Sequence, residues 1–271
     1  MSDGPTDIHT EAPHPARMYD YFLGGKDNYE ADRLAGEQSL TAFPTVRLAA
    51  RANRDFMART TRSIAQEQGL RQFLDIGTGI PTEPNLHQIA QAVAPESRVV
   101  YVDNDPVVLV HARALLTGTA EGRTAYVKAD ATDPAAILAA QPLRDTLDLT
   151  QPVAVSLIAV LHFITGDIAD IVGALMDPLA PGSTLTVSHV TTDLDDGPTD
   201  PDGIGRLVEV YNKHGIPATA RTREQVQGLF KGFDLVDPGV ELIHRWRPEG
   251  IESPQSHDKM IALVGGVGVK Q

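Results

Sequence analysis

Apolar residues recur along the first part of the chain with the spacing of helices. Two aromatic-rich helical pieces flank a pair of glycines, Gly24-Gly25, in the stretch RMYDYFLGGKDNYEADR. From Thr45 onwards, apolar positions three and four residues apart predict one long helix that Gly69 ends. The chain therefore divides into a flexible, polar N-terminus over 1–16, a helical cap or lid over 17–44, and a main domain over 45–271.

After Gly69, short apolar runs alternate with helical patterns. The runs predict five strands, over 71–76, 98–102, 124–127, 153–160 and 184–190. The intervening patterns predict helices over 86–93, with Thr82 as a plausible N-cap, and over 107–116, 134–140 and 168–176. Strands this apolar, alternating with helices, indicate a parallel sheet that is covered on both faces.

The pattern changes beyond the fifth strand. Residues 191–203 carry five aspartates together with proline and glycine, which predicts a loop. Helical spacing follows over 205–214 and 223–230, and two closing strands are expected over 233–236 and 259–264. The loop and helices over 191–230 form an insertion that we expect near the site.

Composition restricts the class of protein. The 271 residues are 42% hydrophobic and 22% charged, which suits one sizeable globular domain, and the formal net charge of −13 disfavours a groove for nucleic acid. The absence of cysteine excludes disulfides, thiolate metal sites and cysteine nucleophiles. The N-terminus lacks a signal pattern, and no apolar run reaches the roughly 20 residues that a bilayer span needs. We expect a cytoplasmic protein without a membrane partner.

Ligands of open parallel sheets lie beyond the carboxyl ends of the strands, so the residues that follow each predicted strand form the candidate site. They are Asp75, Gly77, Thr78 and Gly79, then Asp103 and Asn104, then Asp130 and Ala131, then Ala159 to His162, and finally His189. Asp103 can accept hydrogen bonds from both hydroxyls of a ribose. Asp130 can accept from the adenine amine, and the Ala131 amide can donate to the ring. The alternative is a helix cap, which fits Asp105 and Asp133 well.

The glycine turn DIGTGIPTE separates the candidate nucleotides. A dinucleotide fingerprint needs a third glycine where Thr82 stands, and it rests an anionic pyrophosphate on amides at a helix N-terminus. Pro81 has no amide hydrogen, and Asp75 and Glu83 add negative charge. S-adenosylmethionine has no phosphate and carries a sulfonium and an ammonium. The turn therefore favours S-adenosylmethionine over NAD.

Several stretches together resemble a known family. DIGTG, VYVDNDP, KAD and VLHF have the order and spacing of a class I S-adenosylmethionine-dependent methyltransferase. A narrower resemblance, to the actinobacterial S-adenosyl methyltransferase family, is carried by four stretches: RMYDYFLGGKDNYEADR, RANRDF, QFLDIGTGIPT and VVYVDNDPVVLVHARALL. The resemblance runs from about Pro15 to the C-terminus. It implies an α/β fold with a Rossmann-like, doubly wound sheet of seven strands, mostly parallel with the last strand antiparallel.

The resemblance also implies roles for single residues. The turn formed by Gly77, Thr78 and Gly79 would hold the methionine part of the cofactor. Asp103 and Asn104 would bind the ribose, and Asp130 and Ala131 would bind the adenine. Pro81 departs from the glycine that class I turns often carry, although the narrower family accepts it. No Asn-Pro-Pro-Tyr/Phe motif follows the fourth strand, which weakens methylation of nucleic-acid bases.

His162 and Arg54 are candidates by position. His162, in AVLHFITGD, lies near the expected methyl acceptor and can take a proton from an oxygen or nitrogen nucleophile. The alternative is a half-buried structural histidine. Arg54, on the long helix, can clamp the methionine carboxylate, or it is an exposed helical arginine.

The aromatic residues of the cap suggest a lid. Tyr21, together with Tyr19, Phe22 and Tyr29, can cover cofactor and substrate around the glycine pair. The alternative is an amphipathic helix that packs on the core.

The aspartates of the 191–203 loop do not match a calcium loop, because Ile204 stands where a bidentate glutamate is needed, so we predict no metal. We predict a methyltransferase that uses S-adenosylmethionine, releases S-adenosylhomocysteine and acts on a small molecule. Two alternatives remain: a catalytically silent module that binds S-adenosylmethionine for regulation, and, less favoured, an NAD-dependent oxidoreductase.

Overall fold

The fold was analysed in a computed structural model, which describes residues 10–115, 118–193, 202–250 and 255–271. These residues form one eight-stranded sheet with flanking helices. The strands are β1 (Gln72–Ile76), β2 (Arg98–Asp103), β3 (Arg123–Lys128), β4 (Ala154–Ile158), β5 (Thr184–Val190), β6 (Phe233–Leu235), β7 (Glu241–Leu242) and β8 (Leu263–Lys270). The helices are α1 (Pro15–Leu23), α2 (Glu30–Ala42), α3 (Val46–Glu67), α4 (Leu86–Val93), α5 (Pro106–Leu115), α6 (Pro134–Ala139), α7 (Gln141–Arg144), α8 (Ile168–Met176), α9 (Gly203–Lys213) and α10 (Arg223–Gly228).

The strand order is β3-β2-β1-β4-β5-β8-β6, and β7 pairs with β8. The first five strands are parallel, whereas β8 runs antiparallel to β5 and β6. Chain order reverses between β1 and β4, which is where open sheets of this kind bind ligands. The predicted Rossmann-like sheet with an antiparallel last strand is therefore confirmed, with β7 as a short additional strand.

Alternate residues of the strands pack on opposite faces of the sheet. Leu74 and Ile76 of β1 pack with Ile137 of α6 and Leu175 of α8, whereas the neighbouring Phe73 packs with the α3 and α4 side. All five side chains are almost fully buried. This alternation explains why the parallel strands are nearly all apolar in sequence.

A third apolar cluster joins the N-terminal helices to α9. Met18 and Phe22 of α1 and Ala35 of α2 pack with Leu207 and Tyr211 of α9. Helices α1 and α2 thus pack against α9, which lies in the predicted insertion over 191–230. The aspartates of that insertion at 195, 196 and 200 lie outside the described residues.

Three predicted boundaries need correction, and two short elements were not predicted. The helix after β1 is capped at Asn85 rather than Thr82, because Glu83 precedes Pro84 and is disfavoured in helical conformation. The last strand begins at Leu263 rather than 259. Helix α7 has four residues and strand β7 has two. Neither was predicted, because such short elements carry no periodicity. The segment over 1–16, predicted to be flexible, includes the start of a helix, because α1 begins at Pro15 and His14 caps it.

The glycines of β8 explain why its extent escaped the apolar pattern. A Cβ on Gly265 would lie 2.6 Å from the Val187 carbonyl oxygen and 2.8 Å from the Phe56 ring. A Cβ on Gly268 would lie 2.8 Å from the Phe230 ring. Close packing of neighbours requires glycine at these positions, although glycine usually weakens a strand.

Candidate functional site

A cavity of about 540 Å³ opens at the carboxyl ends of β1, β2 and β4. Every residue predicted to contact the cofactor lines it except Tyr21: Arg54, Asp75, Gly77, Thr78, Gly79, Asp103, Asn104, Asp130, Ala131 and Ala159. These residues come from separate parts of the sequence, and the parallel sheet brings them to one edge. We refer to this space as the polar cavity.

The turn after β1 forms the floor of the polar cavity. Gly77 and Gly79 have φ angles of 74° and 68°, in the left-handed region that favours glycine. The Gly77 amide donates to the Val102 carbonyl at 2.8 Å, and a Cβ on Gly77 would lie 2.5 Å from Val160. Gly77 is therefore required both by its backbone angle and by the close approach of Val160.

Asp103 links this turn to the end of β2. Its Oδ2 accepts from the Gly79 amide at 2.8 Å, and its Oδ1 accepts from the Asp105 amide at 2.9 Å. Burial raises the pKa of Asp103, while the two amides and nearby His14 oppose that rise. Each carboxylate oxygen retains a further lone pair, so the side chain can still accept from a vicinal diol. Asp105 in turn accepts from the Val107 amide and caps α5, as predicted.

The same hydrogen bonds disfavour a pyrophosphate. The Gly79 amide is already committed to Asp103, and α4 begins only at Leu86, well beyond the turn. A dinucleotide site would need free amides at a helix N-terminus next to the turn. The polar cavity therefore lacks the anion-binding arrangement of a dinucleotide fold at this turn.

Asp75 adds a buried carboxyl group beside the turn. The Thr78 hydroxyl lies 3.2 Å from Asp75 Oδ2 and donates to the Asp75 carbonyl at 3.1 Å. Burial raises the pKa of Asp75 to about 6, against opposing contributions from Thr78 and Arg54. Asp75 has no salt-bridge partner among the described residues, and a buried carboxyl of this kind suits a ligand that brings its own positive charge.

Hydrogen bonds also order the loop after β3. Asp130 accepts at Oδ2 from the Asn104 amide group at 2.9 Å and at Oδ1 from the Thr132 amide and hydroxyl at 2.8 and 2.6 Å. Burial would raise the pKa of Asp130, but these hydrogen bonds outweigh it and the pKa is lowered. Asp130 thus holds the loop that presents Ala131 to the cavity.

Arg54 and Tyr21 are placed differently from expectation. Arg54 lines the polar cavity, but its Nη2 donates to the carbonyls of Thr82 and Pro84 at 2.5 and 2.6 Å and so braces the segment after the turn. Tyr21 does not line the cavity: its hydroxyl contacts Glu37 of α2 and its ring lies under Arg47. The tyrosine of α1 that reaches the cavity is Tyr19.

Residues 13–16 also line the polar cavity, although the sequence pattern did not place them there. His14 Nδ1 lies 3.0 Å from Asp105 Oδ2, and buried Arg17 lies 3.6 Å from the same oxygen. Arg17 also lies 3.5 Å from buried Asp32, which accepts from the His14 amide at 2.9 Å. These contacts tie the start of α1 to the β2 end of the cavity. The available signal in the sequence was the family resemblance, which begins at about Pro15.

A second missed feature is a hydrogen-bond chain behind Ala159. The Ala159 amide donates to Ser188 Oγ at 2.9 Å, and Ser188 Oγ donates to Asn53 Oδ1 at 2.7 Å. Asn53 Nδ2 donates to the Tyr19 hydroxyl at 3.0 Å. Ala159 has a φ of 53°, which is uncommon for a residue other than glycine and typical of sites where surrounding structure holds a strained backbone.

A smaller space of about 80 Å³ adjoins the polar cavity, and we refer to it as the apolar pocket. The two share the lining residues Pro15, Tyr19, Ala159 and Phe163. His162, the predicted general base, lines the apolar pocket and not the polar cavity. Its Nδ1 is fully buried without a hydrogen-bond partner among the described residues.

His162 is held neutral by its surroundings. Its ring meets the His189 ring edge-on at 5.4 Å, and His189 Nε2 lies 2.8 Å from the Arg221 guanidinium, which can only donate. Burial, together with His189 and Arg221, lowers the pKa of His162 well below its ordinary value, and burial lowers that of His189 to about 4. Both imidazoles therefore remain uncharged at neutral pH.

Two further properties concern the described residues as a whole. They contain no group of three or more histidine, cysteine, aspartate or glutamate side chains arranged to hold a metal ion. Within the same ranges, no helix has the length and apolar character that crossing a membrane requires.

Comparisons with known proteins identify close relatives. The family model described as S-adenosyl methyltransferase matches residues 1–271. The crystal structure of a DUF574 family protein from Streptomyces avermitilis MA-4680 is similar, with a TM-score of 0.93 and 49% identity over 98% of this chain and 100% of that one. A candidate methyltransferase from Thermobifida fusca YX gives a TM-score of 0.89 and 37% identity over the whole of both chains.

More distant structures share the fold alone. The plantazolicin methyltransferase BpumL, solved with a triazolic desmethylPZN analog and S-adenosylhomocysteine, gives a TM-score of 0.52 at 10% identity. The match covers 94% of this chain and 96% of that one. No protein with a curated description matches the chain.

Proposed function

The chain belongs to the S-adenosyl methyltransferase family and is an S-adenosylmethionine-dependent methyltransferase, and on that premise we propose that its polar cavity binds S-adenosylmethionine and that the acceptor is a small molecule. The observation that carries the proposal is Asp103 at the tip of β2, which braces the glycine turn and retains lone pairs toward the cavity. A carboxylate in this position suits a ribose diol.

The chemistry of the lining fits this cofactor. Asp75, Asp103 and Asp130 make the cavity acidic, which suits a ligand that carries a sulfonium and an ammonium and lacks phosphate. We assign Asp103 with Asn104 to the ribose, Asp130 with Ala131 to the adenine, and Asp75 to the ammonium. The bound cofactor supplies a methyl group on a positively charged sulfur, which leaves as a neutral thioether.

The protein's own contribution is positioning and the exclusion of water. The Ser188–Asn53–Tyr19 chain fixes the Ala159 backbone where the polar cavity meets the apolar pocket. In-line transfer between two bound molecules depends mainly on such alignment. We assign His162 as the group that receives the acceptor's proton, because its neutral imidazole lines the apolar pocket and its Nδ1 has no hydrogen-bond partner among the described residues.

Ligand-dependent thermal stability tests the cofactor assignment. S-adenosylhomocysteine at about 100 times its dissociation constant should stabilise the protein by about 2.7 kcal/mol, whereas NAD at the same concentration should not shift the melting temperature. A shift with NAD and none with S-adenosylhomocysteine would overturn the assignment. Release of S-adenosylhomocysteine in the presence of metabolite extracts then separates a methyltransferase of small molecules from a silent binding module.

A further inference from the structure

The apolar pocket has a composition that restricts its ligand. The described residues that line it include no aspartate, glutamate, lysine or arginine. Its walls are aliphatic and aromatic side chains of α1, α3 and α9, such as Phe22, Ala49 and Leu207. Transfer of a charged group into such surroundings without a partner costs several kcal/mol. The pocket therefore selects against charged ligands.

We propose that the apolar pocket binds the hydrocarbon end of an uncharged, hydroxyl-bearing methyl acceptor, with the hydroxyl group directed to His162. This inference rests on the proposed function, because it takes the adjoining polar cavity as the cofactor site. The two spaces share the lining residues Ala159 and Phe163, so a molecule seated in the pocket lies next to the cavity assigned to the cofactor.

The surroundings of His162 favour a hydroxyl over an ammonium. A neutral imidazole offers one acceptor nitrogen, and the buried Nδ1 of His162 has no hydrogen-bond partner among the described residues. In addition to burial and His189, the guanidinium of Arg221 contributes to the lowered pKa of His162, and it contacts His189 and the Leu161 carbonyl. His189 accepts from Arg221, and the hydroxyls of Tyr19 and Tyr211 have raised pKa values because of burial. A cationic group inside the apolar pocket would therefore find no carboxylate among the described lining residues.

The size of the pocket limits the hydrocarbon end. A cavity of about 150 Å³ encloses benzene, whereas the apolar pocket measures about 80 Å³. A short branched alkyl group fits this space, and the hydroxyl then lies at the shared boundary. In the transfer, the hydroxyl oxygen forms a bond to the methyl carbon, the carbon–sulfur bond breaks with its electron pair on sulfur, and the hydroxyl proton passes to His162.

Three molecules of one shape and different charge test the inference: 3-methylbutan-1-ol, 3-methylbutan-1-amine and 3-methylbutanoate. Their binding to the protein saturated with S-adenosylhomocysteine is measured by ligand-observed NMR, which does not depend on turnover. We expect the alcohol to bind at least about ten times more tightly than the ammonium or the carboxylate. Equal binding of the three, or tighter binding of a charged analogue, would overturn the proposal.

Matched variants place the binding in the pocket. Val208→Phe on α9 adds volume to a half-buried lining residue, whereas Val110→Phe adds the same volume to an exposed residue of α5 outside the pocket lining. We expect Val208→Phe to abolish alcohol binding and Val110→Phe to preserve it. If Val208→Phe fails to fold, Ala218→Leu fills the same pocket from another segment.

The affinity for S-adenosylhomocysteine, measured by calorimetry in each variant, separates the two proposals. A wild-type protein that does not bind S-adenosylhomocysteine would contradict the proposed function. Normal cofactor binding together with unchanged alcohol binding in a well-folded Val208→Phe protein would contradict only the assignment of the pocket.

Discussion

The polar cavity and the apolar pocket meet at Ala159, but they are built in different ways. The polar cavity consists of strand ends joined by specific hydrogen bonds. For example, the Asp103 carboxylate accepts from two backbone amides. The apolar pocket is lined mainly by aliphatic and aromatic side chains, many of them from α1, α3 and α9, that pack against one another. A site built from hydrogen bonds is sensitive to single atoms, whereas a packed site is sensitive mainly to volume. The comparison suggests that cofactor recognition is rigid and that acceptor choice is set by the size and polarity of the pocket.

His162 is the exception within the apolar pocket, and changing it should give the largest effect. If it receives the acceptor's proton, His162→Phe should lower turnover roughly 100- to 10,000-fold. The affinity for S-adenosylhomocysteine should not change, because His162 does not line the polar cavity. Steady-state rates and calorimetry measure the two quantities, and the melting temperature controls for unfolding. Full turnover in a folded variant would leave His162 a structural residue.

The pH profile sharpens the same prediction. Because burial lowers the pKa of His162 well below its ordinary value, its imidazole stays neutral as the pH falls through 6.5. The wild-type rate should therefore lack an inflection near pH 6.5 that belongs to His162. An inflection at that pH that disappears in His162→Phe would show that the surroundings of His162 do not lower its pKa.

Gly77→Ala should cause the next largest effect, within the polar cavity. An alanine at this position has an unfavourable φ angle, and its Cβ lies too close to Val160. The backbone strain and the steric contact each cost about 1–3 kcal/mol. Gly69→Ala is a matched control, because Gly69 has a similar φ of 68° with nothing within 4 Å of a Cβ. Denaturant unfolding should show the greater loss for Gly77→Ala. Equal losses would mean that the contact with Val160 is readily relieved.

Asp103→Asn should weaken the affinity for S-adenosylhomocysteine at least about tenfold. The asparagine retains one acceptor oxygen, so it cannot accept from both Gly79 and Asp105, and it loses the charge that strengthens hydrogen bonds to the ribose. Asp133→Asn serves as the control, because Asp133 is an exposed cap of α6 and asparagine caps helices equally well. Calorimetry that gave the same affinity for both variants would remove Asp103 from the ribose site.

The smallest effect concerns the pH dependence of Asp75. Burial raises its pKa to about 6 in the free protein, above that of the unfolded chain. This group therefore stabilises the free protein progressively as the pH falls from 7 to 5, whereas the affinity for a ligand bearing an ammonium should fall about tenfold over the same range. Asp75→Asn should remove both dependences. Affinity that is equally pH-dependent in the variant would assign the effect to another group.

The contrast between the two spaces also explains what the sequence predicted. Asp75, Asp103 and Asp130 follow apolar strands, and the ends of parallel strands necessarily meet at one edge, so their convergence followed from periodicity. The apolar pocket depends on how α1 and α9 pack, which no local pattern encodes. Tyr19 and Tyr21 illustrate the limit, because two positions on one helix point in different directions and only the packing shows which of them faces the site.

The same reasoning applies to the contacts of His14 and Ser188. Both contacts join residues that lie far apart in sequence, Ser188 to Asn53 and His14 to Asp105, and their side chains have ordinary polar roles elsewhere. Ala159 gives no sign in the sequence of its unusual backbone angle, because alanine rarely adopts it. The sequence therefore predicted the fold and the convergence of the strand-end residues in the polar cavity, whereas the apolar pocket required the tertiary structure.

The crystal structure of the complex with S-adenosylhomocysteine tests the division between the two spaces most directly. The account predicts that the ligand occupies the polar cavity, with both ribose hydroxyls within hydrogen-bond distance of the Asp103 carboxylate and the sulfur directed toward the boundary at Ala159. A ligand that bound in the apolar pocket, or that left Asp103 without contact to the ribose, would contradict it.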